Sequence, residues 1–270
     1  RYGLDTMSVG AVVAVAMEAY EKGLLSSEEA GGLDLSWGNG ETLIQLVEQI
    51  GHKQGLGERL GEGSVRFAAE LGPEAAEFVM AVKGLDIAMH DPRGFVSMAA
   101  NYATANRGGC HLEAPSYWNG YGVPIPDLGY PEALDRFSSE VGGKMAYDFQ
   151  NYMSVYNALG LCKFLGRASV GPETVVGYVN RVMGWQWTAD NLLRMGEKLF
   201  NLKRMINVRY GIGRKDDTLP PRLVTLARPS GSAAGVLPDM DRLLSDYYEL
   251  RGWNPDGSPG EERLAELGLA

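Results

Sequence analysis

Cysteine and histidine are scarce in this chain, which has two cysteines and three histidines among 270 residues. Two cysteines cannot form the disulfide framework of a small secreted scaffold, and neither lies in a Cys-x-x-Cys pair. We therefore expect a reducing, cytoplasmic compartment. With so few thiols and imidazoles, we also expect no metal site to be complete on this chain.

Long apolar runs are missing as well. The chain has no run of about eighteen uncharged apolar residues, and no basic region followed by an apolar stretch opens it. The sequence thus predicts neither a membrane span nor a signal peptide. An initiator methionine is also lacking, because the chain opens with Arg1-Tyr2. We expect the C-terminal part of a longer protein, whose N-terminal domain would be a partner of this part.

Positive charge is in deficit, with 25 Lys and Arg against 34 Asp and Glu and a formal net charge of -9. Phosphate binding requires concentrated Lys and Arg, so nucleic acid is disfavoured as a partner. A basic redox partner is compatible with this charge. The composition leaves the subunit count open, and a homo-oligomer is compatible with it.

Helical periodicity is what the sequence has in abundance. Apolar residues recur at helical spacing within 12–20, within 41–54 and most clearly within 188–209. Residues 131–159 also predict one long helix or two in sequence. The expected fold class is therefore mainly α.

Strand signals are few by comparison. Residues 78–82 and 85–89 are short apolar runs bounded by charge and glycine, and both predict strands. The turn that follows at Asp91-Pro92-Arg93-Gly94 interrupts the helical pattern. We accordingly expect two helical domains with at most a few short strands, the first at 1–82 and incomplete at its N-terminus, the second at 83–270.

A cysteine follows the end of a predicted helix near the middle of the chain. Gly160 can adopt the left-handed backbone that closes a helix, and Leu161 and Cys162 come directly after it. The amides and carbonyls released at such an end can bind a ligand. Two interpretations of Cys162 remain, a reactive or ligating thiol and a small buried hydrophobic residue.

A histidine lies in a second glycine-rich segment, Asn106-Arg107-Gly108-Gly109-Cys110-His111. His111 has an unperturbed pKa near 6.5, which suits hydrogen bonding to a carbonyl or proton transfer. The alternative is a core histidine with satisfied hydrogen bonds, which is the interpretation given to His52 and His90. A thiol protease is disfavoured, because the adjacent Cys110 and His111 rarely point the right way and no third group orients them.

Four segments together carry a resemblance that covers essentially the whole chain. They are Gly3-Leu4-Asp5, Asn106 to His111, Gly160-Leu161-Cys162 and Arg214-Lys215-Asp216-Asp217-Thr218-Leu219-Pro220. In this combination the chain resembles the tungstopterin aldehyde:ferredoxin oxidoreductase family. The resemblance implies two helical domains like the C-terminal domains of that family.

The resemblance also implies a cofactor site. In that family two segments of the form Asp-x-x-Gly-Leu-(Asp/Cys) hold a tungsten bis-pterin, and the cysteine of the second ligates a [4Fe-4S] cluster. The implied pterin-binding residues are Gly3, Leu4, Asp5, Asn157, Gly160, Leu161 and Cys162, of which Cys162 is also the cluster ligand. Asn157 stands where the family usually has Asp, and its amide keeps an acceptor oxygen and adds donors. His111 matches the catalytic histidine of the family.

The implied reaction oxidises an aldehyde to a carboxylic acid and passes electrons through the [4Fe-4S] cluster to ferredoxin or an electron-transfer subunit. Molybdenum is the alternative to tungsten, and the fragment alone is expected to be inactive. One rival interpretation is a relative that acts on another substrate, for example by reducing an aromatic acyl-CoA. Another is a cofactor-free helical interaction protein, which the substitution at Asn157 favours.

Overall fold

The structure is a computed structural model that describes all residues, 1–270. The chain divides into two compact units, one formed by residues 1–88 with 220–222 and the other by residues 89–219 with 223–270. Helices make up most of both units, and the only sheet is a two-stranded hairpin. The mainly α fold class is thereby confirmed.

The first unit contains five helices and the hairpin. These elements are α1 (Thr6–Glu21), α2 (Gly40–His52), α3 (Leu56–Leu60), α4 (Ser64–Leu71), α5 (Pro73–Ala76), β1 (Ala81–Val82) and β2 (Leu85–Asp86). Because α1 is apolar on most sides, it lies inside this unit, and its buried residues share one core with Leu46 of α2 and Phe67 of α4. This core supports the start of α1, where one candidate segment lies.

The hairpin follows from its two-residue turn. Lys83 and Gly84 both have positive φ angles, 50° and 77°, as a type I′ turn requires. The strands are antiparallel, and each is shorter than the sequence predicted. The predicted domain boundary after residue 82 falls within this turn, and the division at that point stays a prediction.

The second unit is built on helices α6 to α11, α13 and α14, with α12 contributing residues to both units. Their bounds are α6 (Ser97–Thr104), α7 (Tyr117–Gly120), α8 (Gly142–Leu159), α9 (Phe164–Arg167), α10 (Pro172–Met183), α11 (Ala189–Arg209), α12 (Pro221–Thr225), α13 (Met240–Arg251) and α14 (Glu261–Leu267). Two 3₁₀ turns add Pro126–Leu128 and Arg214–Asp216.

Helix α8 lies at the centre of this unit, and glycines allow its neighbours to approach it closely. A Cβ atom on Gly196 of α11 would overlap the backbone carbonyl of Asn151 in α8. On α8 itself, a Cβ atom on Gly143 would lie 2.8 Å from the carbonyl oxygen of Leu243 in α13. The long pattern of α11 therefore packs against the helix that ends at Gly160.

The prediction of helix over 131–159 is wrong for its first part, because α8 begins only at Gly142. The side-chain amide of Asn119 explains the difference. Its nitrogen donates to the carbonyl of Glu132 at 2.8 Å, and its oxygen accepts from the amide of Leu134 at 2.9 Å. These backbone groups are thus bound to a side chain, and the segment forms an ordered loop instead of a first helix.

Candidate functional site

His111 lies in the loop between α6 and α7, and two buried groups hold this loop in place. The side chain of Asn101 donates to the carbonyl of Cys110 at 3.0 Å. Lys203 of α11 donates to both carboxylate oxygens of Glu113 at 2.9 Å, and the Glu113 side chain is only 5% exposed. The backbone on both sides of His111 is therefore fixed by α6 and α11.

Two further rings adjoin the imidazole of His111. The ring of His90 lies 5.3 Å from that of His111, and Tyr117 stacks on His90 with ring centroids 3.9 Å apart. The carbonyl of His90 accepts a hydrogen bond from the Tyr102 hydroxyl at 3.2 Å. We call the three rings of His90, His111 and Tyr117 the imidazole cluster.

Sequence reasoning assigned His90 a structural role, and no pattern would have placed it beside His111. The two histidines are separated by 21 positions, with α6 and a glycine turn between them. The one available signal was the location of His90 immediately before the Asp91-Pro92 turn, where a loop begins.

Burial and nearby positive charge favour the neutral form of both histidines. Burial lowers the pKa of His111 to about 4, and the charges of His90, Lys163 and Arg107 act in the same direction. Burial also lowers the pKa of His90, with a further contribution from Arg167. At neutral pH His111 is therefore an uncharged imidazole, with one N–H donor and one acceptor nitrogen.

The segment after α8 folds as its glycine predicted. Gly160 has a φ of 67°, the amide of Gly160 donates to the carbonyl of Asn157 at 3.4 Å, and the amide of Leu161 donates to that of Tyr156 at 3.0 Å. These two bonds form the Schellman arrangement that ends a helix. Cys162 follows as a free, exposed thiol, so the interpretation as a buried hydrophobic residue is wrong.

A lysine joins the Cys162 segment to the His111 loop. The ammonium of Lys163 donates to the carbonyl of Leu112 at 2.5 Å. Since Lys163 follows Cys162 and Leu112 follows His111, the structure brings the two candidate segments of the second unit together. Asn157 is exposed on the last turn of α8, and its side chain makes no hydrogen bond within the chain.

The first candidate segment, in the other unit, forms the start of α1. Gly3 has a φ of 71°, and the carboxylate of Asp5 accepts the amides of Met7 and Ser8 at 3.0 and 2.8 Å. Asp5 therefore caps the helix through one oxygen. Leu4 packs partly buried against the core of this unit, while Gly3 and Asp5 stay exposed.

The residues present fit part of the implied cofactor set. A [4Fe-4S] cluster normally takes four thiolates, and this chain has one exposed thiol, at Cys162, beside the buried Cys110. No group of three or more His, Cys, Asp or Glu side chains is placed to hold a metal ion. Cys162 fits the role of a single ligand, and the exposed polar groups of Asp5 and Asn157 fit the role of hydrogen-bonding partners for a pterin.

The fourth segment, Arg214 to Pro220, contributes an ion pair to the core of the second unit. Asp217 is fully buried and forms two hydrogen bonds with the guanidinium of Arg204, at 3.0 and 2.7 Å. The segment is thus anchored to α11 by an ion pair.

No helix of the chain is long and apolar enough to cross a membrane.

Comparison with known proteins identifies relatives along the whole chain. The chain is 38% identical to the tungsten-containing aldehyde ferredoxin oxidoreductase of Thermococcus kodakarensis over 273 residues, which covers 100% of this chain and 44% of the relative. It is also 38% identical to the protein of the same name from Pyrococcus furiosus, covering 99% of this chain and 43% of that relative. This chain therefore spans less than half the length of these relatives.

Two more distant proteins also resemble this chain, one in sequence and one in fold. The chain is 28% identical to a Pyrococcus furiosus protein named aliphatic sulfonate oxidoreductase, WOR-like subunit, over 99% of this chain and 40% of the relative. Its fold matches the active site complex BamBC of benzoyl coenzyme A reductase in complex with 1,5-dienoyl-CoA. That match has a TM-score of 0.72 at 22% identity and covers 99% of this chain and 44% of the other, so it supports the fold alone.

One family model matches nearly every residue. It is described as aldehyde ferredoxin oxidoreductase, domains 2 and 3, and it covers residues 1–269. Together with the relatives at 38% identity, this match establishes that the chain belongs to the aldehyde ferredoxin oxidoreductase family, a family of oxidoreductases, and corresponds to its domains 2 and 3.

Proposed function

We propose that this chain is the C-terminal part of a tungstopterin oxidoreductase that oxidises an aldehyde to a carboxylic acid. In the reaction a C–O bond forms to an oxygen from water, the aldehyde C–H bond breaks, two protons are released to solvent, and two electrons leave for ferredoxin or an electron-transfer subunit. The observation that carries the proposal is the approach of the neutral His111 to the exposed Cys162 segment, through Lys163 and Leu112. The proposed compartment is the cytoplasm.

His111 has the properties of a hydrogen-bond donor to the substrate carbonyl. With a pKa of about 4 it is uncharged at neutral pH, and as a base it is weak. A neutral imidazole still donates one N–H, which stabilises negative charge that develops on a carbonyl oxygen. The ring of His90 packs beside this imidazole, with ring centroids 5.3 Å apart. We therefore assign His111 to orientation and polarisation of the aldehyde.

When bound, the tungsten bis-pterin would supply the two-electron chemistry, and the cluster would supply the route for single electrons. On this chain, the exposed thiol of Cys162 would hold the cluster. The carboxylate of Asp5, the amide of Asn157 and the backbone of Gly3-Leu4 and Gly160-Leu161 would bind pterin. The remaining ligands would come from the rest of the protein.

Two alternatives differ in substrate or in cofactor content. A relative named aliphatic sulfonate oxidoreductase favours the first, in which the same cofactor acts on another molecule. Reduction of an aromatic acyl-CoA is a further case of this kind. The second is a cofactor-free interaction protein, which retention of Cys162, His111 and Asp5 together disfavours.

Elemental analysis tests the cofactor assignment on the full-length protein purified without oxygen. The parent is expected to contain tungsten, or molybdenum, and about four irons per chain. Cys162→Ser should lose the iron, whereas the control Cys110→Ser, at a buried thiol, should keep it. A folded parent without tungsten, molybdenum or iron would leave the interaction protein as the better interpretation.

An aldehyde screen tests the reaction, with ferredoxin as electron acceptor and carboxylic acid formation as the readout. His111→Gln should lower kcat/KM by about 10²–10³-fold, as expected for loss of one donor to a developing oxyanion. His52→Gln, at an exposed histidine of the first unit, is the control and should keep parental activity. Equal activity in the two variants would contradict the role of His111.

A further inference from the structure

Three cationic side chains lie near the imidazole cluster, and two of them are held by contacts next to His111. The guanidinium of Arg107 lies 3.8 Å from the sulfur of Cys110, next to His111. On the other side of His111, Lys163 donates to the carbonyl of Leu112 at 2.5 Å. These two cations therefore contact the two residues that flank His111 in the chain.

The third cation, Arg167, lies on α9, which packs against the residue that follows Tyr117. A Cβ atom on the preceding Gly166 would lie 2.8 Å from the ring of Trp118, so α9 is pressed against the segment that carries Tyr117. Positive charge at Arg167 acts on both His90 and Tyr117. Arg167 is exposed and ends α9. Its guanidinium is thus free to turn towards a molecule beside the cluster.

None of the three cations has a carboxylate within ion-pair distance, although the chain as a whole is acidic. The charge of Glu113 acts on Lys163, but both oxygens of this carboxylate are bound by Lys203. Arg204 differs, because it binds Asp217 through two hydrogen bonds. The positive charge around the cluster is therefore not neutralised by the chain itself.

Placing unpaired cations together opposes folding, because like charges repel, and the partly buried Lys163 also loses part of its hydration. No hydrogen bond to a carboxylate compensates at Arg107 or Arg167. An anionic ligand would provide the missing partner, and a guanidinium matches the two oxygens of a carboxylate or phosphate. The arrangement therefore indicates a ligand with negative charge.

We propose that Arg107, Lys163 and Arg167 bind an anionic oxygen group of the substrate, so that this site takes an aldehyde bearing a second group that is a carboxylate or phosphate. The inference rests on the proposed function, because it takes the reacting carbonyl to lie beside His111. A phosphate of a bound pterin has the same chemistry. We favour the substrate, because Arg107 and Lys163 are held directly beside His111.

Kinetics with two aldehydes of similar length test the assignment on the cofactor-loaded, full-length protein. Succinic semialdehyde carries a carboxylate, and butanal lacks it. Arg107→Met and Arg167→Met should each raise KM for the semialdehyde by about 10–100-fold, as for loss of a charge-assisted hydrogen bond, and leave butanal within about twofold. The corresponding Arg→Lys variants should recover part of the loss.

Arg181→Met is the matched control, because Arg181 is exposed on α10 and donates only to the carbonyl of Gly177 in its own helix. It should leave both KM values unchanged. Equal effects of Arg107→Met and Arg167→Met on the two aldehydes would overturn the proposal. So would loss of tungsten and pterin from these variants, since the anion would then be the cofactor phosphate.

A second readout does not depend on turnover. Phenylglyoxal modifies free guanidinium groups, and modified peptides identify each arginine by mass. Succinate should protect Arg107 and Arg167 in the full-length protein, butyrate should protect them less, and Arg181 should react equally with or without either acid. If no aldehyde is oxidised but succinate protects, the proposed reaction fails and the anion site stands. Without protection the anion site fails, whatever the activity.

Discussion

Asp217→Asn should destabilise the second unit strongly, because this carboxylate neutralises a buried arginine. Asp217 binds Nη1 and Nη2 of Arg204 at 3.0 and 2.7 Å and accepts the hydroxyl of Tyr248 at 2.5 Å. Both side chains of the ion pair are 0% exposed. An asparagine of the same shape turns one oxygen into an amide that faces the guanidinium, and it leaves the positive charge unpaired.

The magnitude follows from burial. Removing one partner of a buried ion pair costs about 3–5 kcal/mol, against a typical total stability of about 5–15 kcal/mol. The variant is therefore expected to fold, but to lose a large fraction of its free energy of unfolding. The matched control is Glu62→Gln in the first unit, where the pair of Arg66 and Glu62 is 75% and 55% exposed. Its loss should stay below about 0.5 kcal/mol.

Hydrogen exchange read by mass spectrometry suits a chain of two units, because it reports the free energy of opening of each helix separately. Peptides from α11 and α13 should exchange about 10²–10⁴ times faster in Asp217→Asn, and peptides from α4 should be unaffected in Glu62→Gln. An acceleration of α11 below about tenfold would show that the ion pair contributes little, and the argument from burial would be wrong.

Three further predictions concern glycines and His111. Gly196→Ala should lower the free energy of unfolding in urea by about 1–3 kcal/mol, because its methyl group would overlap the carbonyl of Asn151. The control is Gly177→Ala, whose methyl group meets only the mobile end of a side chain and should stabilise α10 by about 0.5–1 kcal/mol. A neutral Gly196→Ala would contradict the close packing. Gly160→Ala should cost about 1–2 kcal/mol, because its φ is 67°, and an unchanged unfolding midpoint would argue against this helix end. The folded-state pKa of His111, about 4, lies below the unfolded value near 6.5, so the stability that the neutral ring contributes is complete above pH 6.5 and declines as the pH falls towards 4. After allowance for partial exposure, this loss of stability is about 1–2 kcal/mol at pH 5. His111→Gln should abolish this pH dependence. Parallel profiles of stability against pH in parent and variant would refute the lowered pKa of His111.

The predictable parts of the fold have local causes. Residues 188–209 form a helix because the apolar spacing continues over many turns, and the helix begins at Thr188 through a capping box. Gly160 ends α8 because only glycine readily adopts a left-handed backbone. The late start of α8 was not predictable, because the hydrogen bonds of Asn119 to residues 132 and 134 depend on tertiary structure.

The candidate site shows the same division. The order Gly160-Leu161-Cys162 and the helix end before it are local, whereas the exposure of the thiol is seen only in the structure. The pairing of His90 with His111, and the stacking of Tyr117 on His90, join residues from separate loops. No periodicity links such positions, since loops carry no repeating pattern. The sequence could thus suggest His111, and only the structure could add its neighbours.

Arginines of the second unit separate into two kinds by their partners, and this separation bears on where function lies. Arg251 is fully buried, and it donates to the Tyr247 hydroxyl at 2.9 Å and to the Asn151 side chain at 2.5 Å. Its hydrogen bonds are made within the fold, so its replacement should affect stability first. Arg107 and Arg167 are exposed, and the only contact of this kind is that of Arg107 with the sulfur of Cys110. A change at either arginine should therefore alter ligand binding more than folding. The sequence shows only that all three positions are arginine. Whether each guanidinium has hydrogen-bond partners within the protein is seen only in the structure.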